Sequence, residues 1–183
     1  ILEAMEKEGS PYKGFLYLGL MISNEDPYVI EFNARLGDPE AQVLLPLFRS
    51  SVFDMMMASV NGTIKSVDIH MDDKYAVTVV LAANGYPENY NKGMEINGLD
   101  NLNNEIVFHA GTKLKDNKIV THGGRVLNVI GIDDCLEKAI SKAYQLSNSI
   151  DFEEKYFRTD IVEETVSLMC RLHTYRKNQI VEN

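Results

Sequence analysis

Cysteine is scarce in this sequence, which argues against two kinds of fold. The 183 residues include only Cys135 and Cys170, with no CxxC pair and no Cys/His spacing that would suit zinc. Neither a disulfide framework nor a zinc-built domain is therefore indicated. We expect two thiols in a reducing cytosol, and hence a cytoplasmic protein.

Long hydrophobic runs and an excess of basic residues are also missing. No apolar stretch approaches the roughly 18–20 residues that a membrane-spanning helix needs, so we predict no membrane segment and no membrane partner. The 18 Lys and Arg residues against 27 Asp and Glu residues give a formal charge of −9. That charge disfavours a general nucleic-acid binder, although it leaves room for a local basic pocket that binds phosphates.

Nucleotide-binding glycine motifs and a typical N-terminus are absent as well. The sequence has neither Gly-x-Gly-x-x-Gly nor a GxxxxGK[ST] loop. It begins without Met and without a basic-then-apolar signal pattern, and residues 1–9 are typical of the end of a charged helix. We therefore expect the chain to begin in mid-protein. Its length suits one moderate domain or two small ones.

What is present begins with a hairpin pattern. Residues 15–22 are a fully apolar run, and after a polar turn residues 28–35 form a returning strand. Asp38-Pro39-Glu40 then predicts a helix start with the aspartate as N-cap. A second helix is predicted to begin at Ser51 and to end at Gly62.

The rest of the chain is rich in strands. Residues 64–74 are polar without a clear period, and we place a domain boundary between residues 62 and 63. Short apolar segments predict strands at 75–83, 105–110, 118–121 and 125–130. A helix with apolar residues at helical spacing follows, capped by Asp133 or Asp134. The expected fold class is therefore α+β, with two domains at 1–62 and 63–161 and a divergent polar tail at 162–183.

The most informative stretch is Val29-Ile-Glu-Phe-Asn-Ala-Arg-Leu-Gly-Asp-Pro-Glu40. Strand alternation places Glu31, Asn33 and Arg35 on one face. The intervening side chains are expected to point into a core: Ile30, Phe32 and Ala34. A carboxylate, an amide oxygen and a guanidinium in one row suit a hard cation such as Mg²⁺ and the phosphates that it bridges. The alternative interpretation is the solvated face of an edge strand.

Arg35 is a candidate contact for a phosphate or a carboxylate, because its planar fork can bind two oxygens at once. The alternative is a structural ion pair with Asp38 or Glu40. These two carboxylates could also form hydrogen bonds to the residues that bind the metal. Helix capping explains them at least as well, and we favour capping.

A second candidate site is the turn Gly123-Gly124-Arg125. Two successive residues without side chains would let backbone N–H groups approach an anion, with Arg125 beside them. The alternative is a tight hairpin turn with a surface arginine. His109 and His122 could exchange protons near neutral pH, although a single histidine beside a strand is more often structural.

Separated blocks of the sequence recur in the same order in one known family. The blocks are Tyr12-Lys-Gly-Phe-Leu-Tyr-Leu-Gly-Leu-Met-Ile22, Val29-Ile-Glu-Phe-Asn-Ala-Arg-Leu-Gly-Asp-Pro-Glu-Ala-Gln42, Ala83-Asn-Gly-Tyr-Pro87, Phe108-His-Ala-Gly-Thr112, Thr121-His-Gly-Gly-Arg-Val126 and Tyr156-Phe-Arg-Thr-Asp-Ile161. Over residues 10–161 the chain resembles phosphoribosylamine–glycine ligase (glycinamide ribonucleotide synthetase), a member of the ATP-grasp superfamily.

The resemblance implies an activity and a set of site residues. Enzymes of this family join glycine to 5-phosphoribosylamine through an acyl phosphate of glycine, and ATP, the co-substrate, becomes ADP and phosphate. Glu31 and Asn33 would hold the Mg²⁺ or Mn²⁺ that bridges the ATP phosphates. Gly123, Gly124 and Arg125 would help to hold the ribose phosphate. Residues 1–62 would be the end of the ATP-grasp domain, and residues 63–161 the antiparallel-rich C-terminal domain.

The sequence departs from the family pattern at both ends. The family's N-terminal substrate domain, glycine-rich flap and upstream lysine are absent, so we expect the missing N-terminal part of the same polypeptide as a partner. The chain alone is then expected to be inactive. The tail 162–183 is longer and more polar than the family ending. Two alternatives stay open: another ATP-grasp carboxylate–amine or carboxylating ligase, and a non-catalytic remnant that serves in binding or assembly.

Overall fold

The computed structural model describes residues 1–161 and shows a mixed α+β protein, which confirms the predicted fold class. The predicted tail 162–183 lies outside the described residues. The chain divides into two compact units, Ile1–Lys74 and the part that begins at Tyr75. Within residues 1–161, none of the helices is both long and apolar enough to cross a membrane.

The first unit contains three α-helices and one β-hairpin. Its elements are α1 (Leu2–Lys7), β1 (Tyr17–Ser23), β2 (Asp26–Asn33), α2 (Glu40–Leu44) and α3 (Val52–Asn61), with 3₁₀ turns at Leu45–Leu47 and Ile64–Ser66. Helix α1 confirms the helical character predicted for the first residues. Helix α3 also agrees with prediction, because Ser51 Oγ accepts the N–H of Asp54 and Gly62 ends the helix in the left-handed conformation.

The predicted hairpin is present as an antiparallel pair. Its turn is formed by Asn24 and Glu25, both with positive φ. Strand β2 lies two residues earlier than predicted and ends at Asn33. Because a left-handed residue pair closes the hairpin tightly, Asp26 and Pro27 join the returning strand.

The predicted core under the hairpin is wrong for the described residues. Ile30 and Phe32 are 62% and 46% exposed, and Ala34 is exposed as well. Strands β1 and β2 form a sheet of only two strands. Two strands alone have no second layer against which one face could be buried.

Helix α2 begins later than Asp38-Pro39-Glu40 suggests. Pro39 occupies the N-cap position, and Glu40 is the first helical residue. The carboxylate of Asp38 accepts a hydrogen bond from Gln42 Nε2 at 2.9 Å, and Glu40 Oε2 accepts the N–H of Gly37 at 2.6 Å. The prediction of Asp38 as N-cap is therefore wrong, because Pro39 is the N-cap residue of α2.

The first unit extends beyond residue 62, where the sequence places a domain boundary. Arg49 makes two hydrogen bonds of 2.6 Å to the carboxylate of Asp72. This ion pair ties residues 63–74 to the segment before α3, so the compact unit ends at Lys74.

Up to residue 161, the second unit is an antiparallel sheet covered by one long helix. Its elements are β3 (Tyr75–Ala83), a 3₁₀ turn (Leu99–Asn101), β4 (Ile106–His109), β5 (Thr112–Lys115), β6 (Lys118–Thr121), β7 (Arg125–Asp133), α4 (Leu136–Ser149) and β8 (Lys155–Tyr156). The main sheet has the order β4-β7-β3-β8, and β5 pairs with β6 as a separate hairpin. Strands β3 and β6 have the predicted bounds, β4 is shorter and β7 longer than predicted, and β5 and β8 are additional.

Helix α4 packs on β3 and β7 and closes the core. The buried apolar side chains come from the sheet, the helix and the segment after it: Val79, Leu81, Ala83, Ile96, Val126, Leu127, Val129, Ala143, Leu146, Ile150 and Phe152. The predicted cap, Asp133 or Asp134, is wrong, because β7 continues to Asp133 and Cys135 is the N-cap. The carboxylate of Asp133 accepts the N–H of Cys135 at 3.2 Å.

Candidate functional site

Glu31 and Asn33 lie side by side on β2, as strand alternation predicts. Asn33 Nδ2 donates a hydrogen bond of 3.0 Å to Glu31 Oε1. Across the hairpin, Glu31 is opposite Gly19 and Asn33 is opposite Tyr17. Because this hydrogen bond uses the amide nitrogen of Asn33, the amide oxygen and the second carboxylate oxygen are the atoms suited to a cation.

Gly19 makes room for the carboxylate. A Cβ atom placed on Gly19 would lie 3.0 Å from Glu31 Cγ, closer than ordinary contact allows. Residues 1–161 contain no group of three or more His, Cys, Asp or Glu side chains that could hold a metal ion. A carboxylate oxygen and an amide oxygen side by side fit a cation that takes one or two protein ligands and completes its shell with water and phosphate oxygens, as Mg²⁺ does.

Arg35 is not part of this row. Strand β2 ends at Asn33, and Arg35 lies in the bend that follows, where its Nη1 donates to the carbonyl of Leu36 at 2.9 Å. The predicted row of three is therefore corrected to a pair. The carboxylates of Asp38 and Glu40 bond Gln42 and Gly37 respectively.

The Gly123-Gly124-Arg125 turn packs tightly against the loop between β4 and β5. The N–H groups of His122 and Gly123 both donate to the carbonyl of Gly111, at 2.7 and 3.0 Å, and the N–H of Gly111 donates to the carbonyl of Arg125 at 2.8 Å. A Cβ atom on Gly123 would lie 2.9 Å from Gly111 Cα. Close backbone packing therefore explains the glycine at 123, and its N–H is already bonded.

Tyr86 covers the second glycine of the turn. A Cβ atom on Gly124 would lie 2.0 Å from Tyr86 Cδ2, so only glycine fits beneath the ring as it stands. The carbonyl of Gly124 accepts the N–H of Ala83 at 2.8 Å, whereas its N–H has no hydrogen bond within residues 1–161. In the sequence, Tyr86 stands out only as part of the block Ala83-Asn-Gly-Tyr-Pro87 that carries the family resemblance. A contact between distant segments leaves no periodic signal by which it could be found.

The two histidines differ in their surroundings. His109 ends β4, and its Nδ1 lies 2.9 Å from Thr112 Oγ1. The backbone of His122 is held by Gly111, as described above. The structure thus brings Glu31 and Asn33 together in the first unit and the glycine turn together with Tyr86 in the second.

Two family models match the chain, and both describe domains of one enzyme. The model described as "Phosphoribosylglycinamide synthetase, ATP-grasp (A) domain" matches residues 1–41, and "Phosphoribosylglycinamide synthetase, C domain" matches residues 76–164. The chain belongs to the phosphoribosylglycinamide synthetase family. The first match includes the Glu31–Asn33 pair, and the second includes Tyr86 and the glycine turn.

Individual members of the phosphoribosylglycinamide synthetase family resemble the chain closely. Phosphoribosylamine–glycine ligase of Caldanaerobacter subterraneus subsp. tengcongensis is 45% identical over 88% of the chain and 39% of that protein. The trifunctional purine biosynthetic protein adenosine-3 of Gallus gallus is 44% identical over 98% of the chain and 18% of that protein. The crystal structure of the Thermotoga maritima ligase matches with a TM-score of 0.76 and 42% identity, over 86% of this chain and 39% of that one. The chain thus spans less than half the length of these relatives.

Proposed function

We propose that this chain is part of a phosphoribosylamine–glycine ligase, which joins glycine to 5-phosphoribosylamine and converts ATP to ADP and phosphate. The observation that carries the proposal is the adjacent Glu31–Asn33 pair within the segment that matches the family's ATP-grasp domain. The match of residues 76–164 to the same family's C domain favours this ligase over another ATP-grasp enzyme.

Glu31 and Asn33 would hold the Mg²⁺ or Mn²⁺ ion of the reaction through a carboxylate oxygen and an amide oxygen. When bound, the ion supplies positive charge to phosphate oxygens whose charge increases during phosphoryl transfer. The hydrogen bond between the two side chains keeps them in one orientation before the ion arrives. Gly19 leaves the space that this orientation needs.

Arg35 and the glycine turn would bind the anionic parts of the substrates. Arg35 follows the metal-binding strand directly, so its guanidinium could contact the acyl phosphate or the triphosphate. In the other unit, the N–H of Gly124 and the side chain of Arg125 would contact the ribose phosphate. Since Gly123 already donates its N–H to Gly111, its contribution to binding would be to bring the backbone close.

The remaining machinery would come from residues outside this chain. The chain spans 39% of the Caldanaerobacter ligase, so we expect the N-terminal part of the same polypeptide to supply the rest of the nucleotide and glycine sites. We also propose that the reaction takes place in the cytoplasm. Cys135, the one cysteine among residues 1–161, is a free thiol, which agrees with a reducing compartment.

The test is the substitution Glu31→Gln in the complete polypeptide that carries this chain. It removes the negative charge and keeps the shape, so we expect Mg²⁺-dependent formation of glycinamide ribonucleotide to fall by more than about 100-fold. Glu25→Gln, in the turn of the same hairpin, is the matched control and should keep its activity. Unchanged circular dichroism and melting temperature would show that the fold is intact. Full activity of Glu31→Gln would remove this residue from the metal site.

A further inference from the structure

The ring of Tyr86 lies directly on the backbone of Gly124. A Cβ atom on Gly124 would be 2.0, 2.7 and 2.8 Å from Tyr86 Cδ2, Cε2 and Cγ, so one side of the ring meets the glycine. Hydrogen bonds between backbone atoms, to Gly111 and Ala83, also hold the 122–125 turn. Tyr86 therefore adds a side-chain contact to these backbone hydrogen bonds.

The loop that carries Tyr86 is itself well anchored. The N–H of Tyr86 donates to the carbonyl of Ala83 at 3.1 Å, while Ala83 donates to Gly124. The N–H of Asn84 donates to the carbonyl of Glu154 at 2.8 Å, and Asn91 Nδ2 donates to the carboxylate of Glu154 at 3.1 Å. The loop that carries the ring is thus anchored on both sides of Tyr86.

Filling the hydrophobic core does not explain this contact. Tyr86 is 42% exposed and does not belong to the buried apolar cluster beneath α4. A tyrosine that served only as core would be covered on both sides. Here one part of the ring covers the turn, its edge contact with Tyr90 has a centroid distance of 6.0 Å, and 42% of the residue stays exposed.

We propose that Tyr86 is a positioning residue for the binding of a phosphate-bearing substrate, acting through Gly124. The ring keeps the Gly124 N–H and the start of β7, where Arg125 lies, in the geometry that fits a phosphate monoester. The inference rests on the proposed function, because it takes this turn as the part of the site that holds the ribose phosphate. The contribution of the ring is preorganisation, which lowers the entropy lost when the anion binds.

The experiment compares Tyr86→Ala with Tyr86→Phe in the complete polypeptide. Tyr86→Ala frees the turn, so we expect the KM for phosphoribosylamine to rise at least about tenfold. The KM values for ATP and glycine, and kcat, should stay within about twofold of the wild type, because they depend on other parts of the site. Tyr86→Phe keeps the ring and should restore the wild-type KM. Tyr75→Ala, at the other end of β3 and 44% exposed, is the matched control.

Two results would overturn the positioning role. One is an unchanged KM for phosphoribosylamine in Tyr86→Ala; the other is an equal rise in all three KM values, which would indicate a general structural defect. If Tyr86→Ala does not fold, a double-mutant cycle of positions 86 and 124 tests the positioning role instead. Gly124→Ala alone should raise the same KM, and Tyr86→Ser combined with it, which removes the ring, should relieve part of that rise. Additive effects in the cycle would contradict the proposal. An inactive wild type would instead refute the proposed function.

Discussion

Asp133 shows how one side chain can tie a strand to the helix that follows it. It is the last residue of β7, and its carboxylate lies 2.7 Å from Lys142 Nζ on α4. It also accepts the N–H of Cys135. The hydrogen bond from Lys142, helped by that of Cys135, lowers the pKa of Asp133 below its ordinary value of 3.8. The carboxylate is therefore more stable ionised in the folded protein than in the unfolded chain.

This linkage predicts a pH-dependent effect of Asp133→Asn. Since the folded pKa lies below the unfolded one, ionised Asp133 stabilises the fold at pH values above about 3.8. That stabilisation disappears as the pH falls through the folded pKa. We expect Asp133→Asn to melt at a lower temperature than the wild type at pH 7 and to approach it in acid. Asp100→Asn, at an exposed site, is the control. A melting difference that is independent of pH would contradict the linkage.

Single-residue predictions succeeded where only local geometry mattered. Glu31 and Asn33 are two apart on a strand, and period-two alternation is enough to place them together. Arg35 has the same spacing from Asn33, but the strand ends before it, and nothing in the local pattern marks that end. Tyr86 and Gly124 meet only because β3 and β7 are neighbours in the folded sheet, which spacing within one segment does not reveal.

Helix α4 lies unusually close to the sheet at one point of β7. A Cβ atom on Gly131 would be 2.0 Å from the carbonyl oxygen of Ala139 and 2.7 Å from the backbone nitrogen of Ala143. Ala139 and Ala143 are both fully buried. Small residues on both elements therefore let the helix backbone approach the strand, and neither backbone can move away cheaply.

Gly131→Ala should consequently destabilise the second unit. The added methyl group would push α4 away from β7, and overpacking of this kind usually costs about 1–3 kcal/mol. Urea unfolding followed by far-UV circular dichroism measures the loss. Lys138→Ala, on the exposed face of the same helix, serves as the control. If Gly131→Ala were as stable as the wild type, this would contradict the claim that α4 and β7 leave no space for a methyl group at position 131.

Element prediction depended on how strongly each segment is patterned. The apolar, β-branched run of β3 and the serine and glycine that bracket α3 are complete local signals, and both elements have the expected bounds. Strand β5 alternates Thr, Lys, Leu and Lys, with little apolar content. It forms because Asp116 and Asn117 adopt positive φ and fold the chain back onto β6. The composition of β5 itself does not indicate a strand.

At the scale of the whole molecule, buried apolar residues are distributed unevenly. The main core lies in the second unit, whereas the first unit buries Leu47, Met55 and Ala58. Strands β1 and β2 carry exposed apolar side chains along most of their length: Leu18, Leu20, Met21, Ile22, Tyr28, Val29, Ile30 and Phe32. A two-stranded hairpin with so little burial has little stability of its own.

Native-state hydrogen exchange should reveal the difference in local stability between the β1–β2 hairpin and the main sheet of the second unit. In the 183-residue chain, we expect amides in the centres of β3 and β7 to exchange at least about 100-fold more slowly than those of β1 and β2. The reason is that opening the sheet exposes the core under α4, whereas opening the hairpin exposes little that was buried. Equal protection in the two sheets would show that the hairpin is stabilised by burial that the exposed fractions do not reveal.

The contact between Tyr86 and Gly124 also restricts the order in which the sequence can diverge. While position 86 carries an aromatic ring, position 124 has no space for any side chain. A change at 124 is tolerated only after position 86 has become small, since the reverse order passes through a steric clash. The two positions are therefore expected to drift as a linked pair, with position 86 changing first, although they lie on segments far apart in the chain.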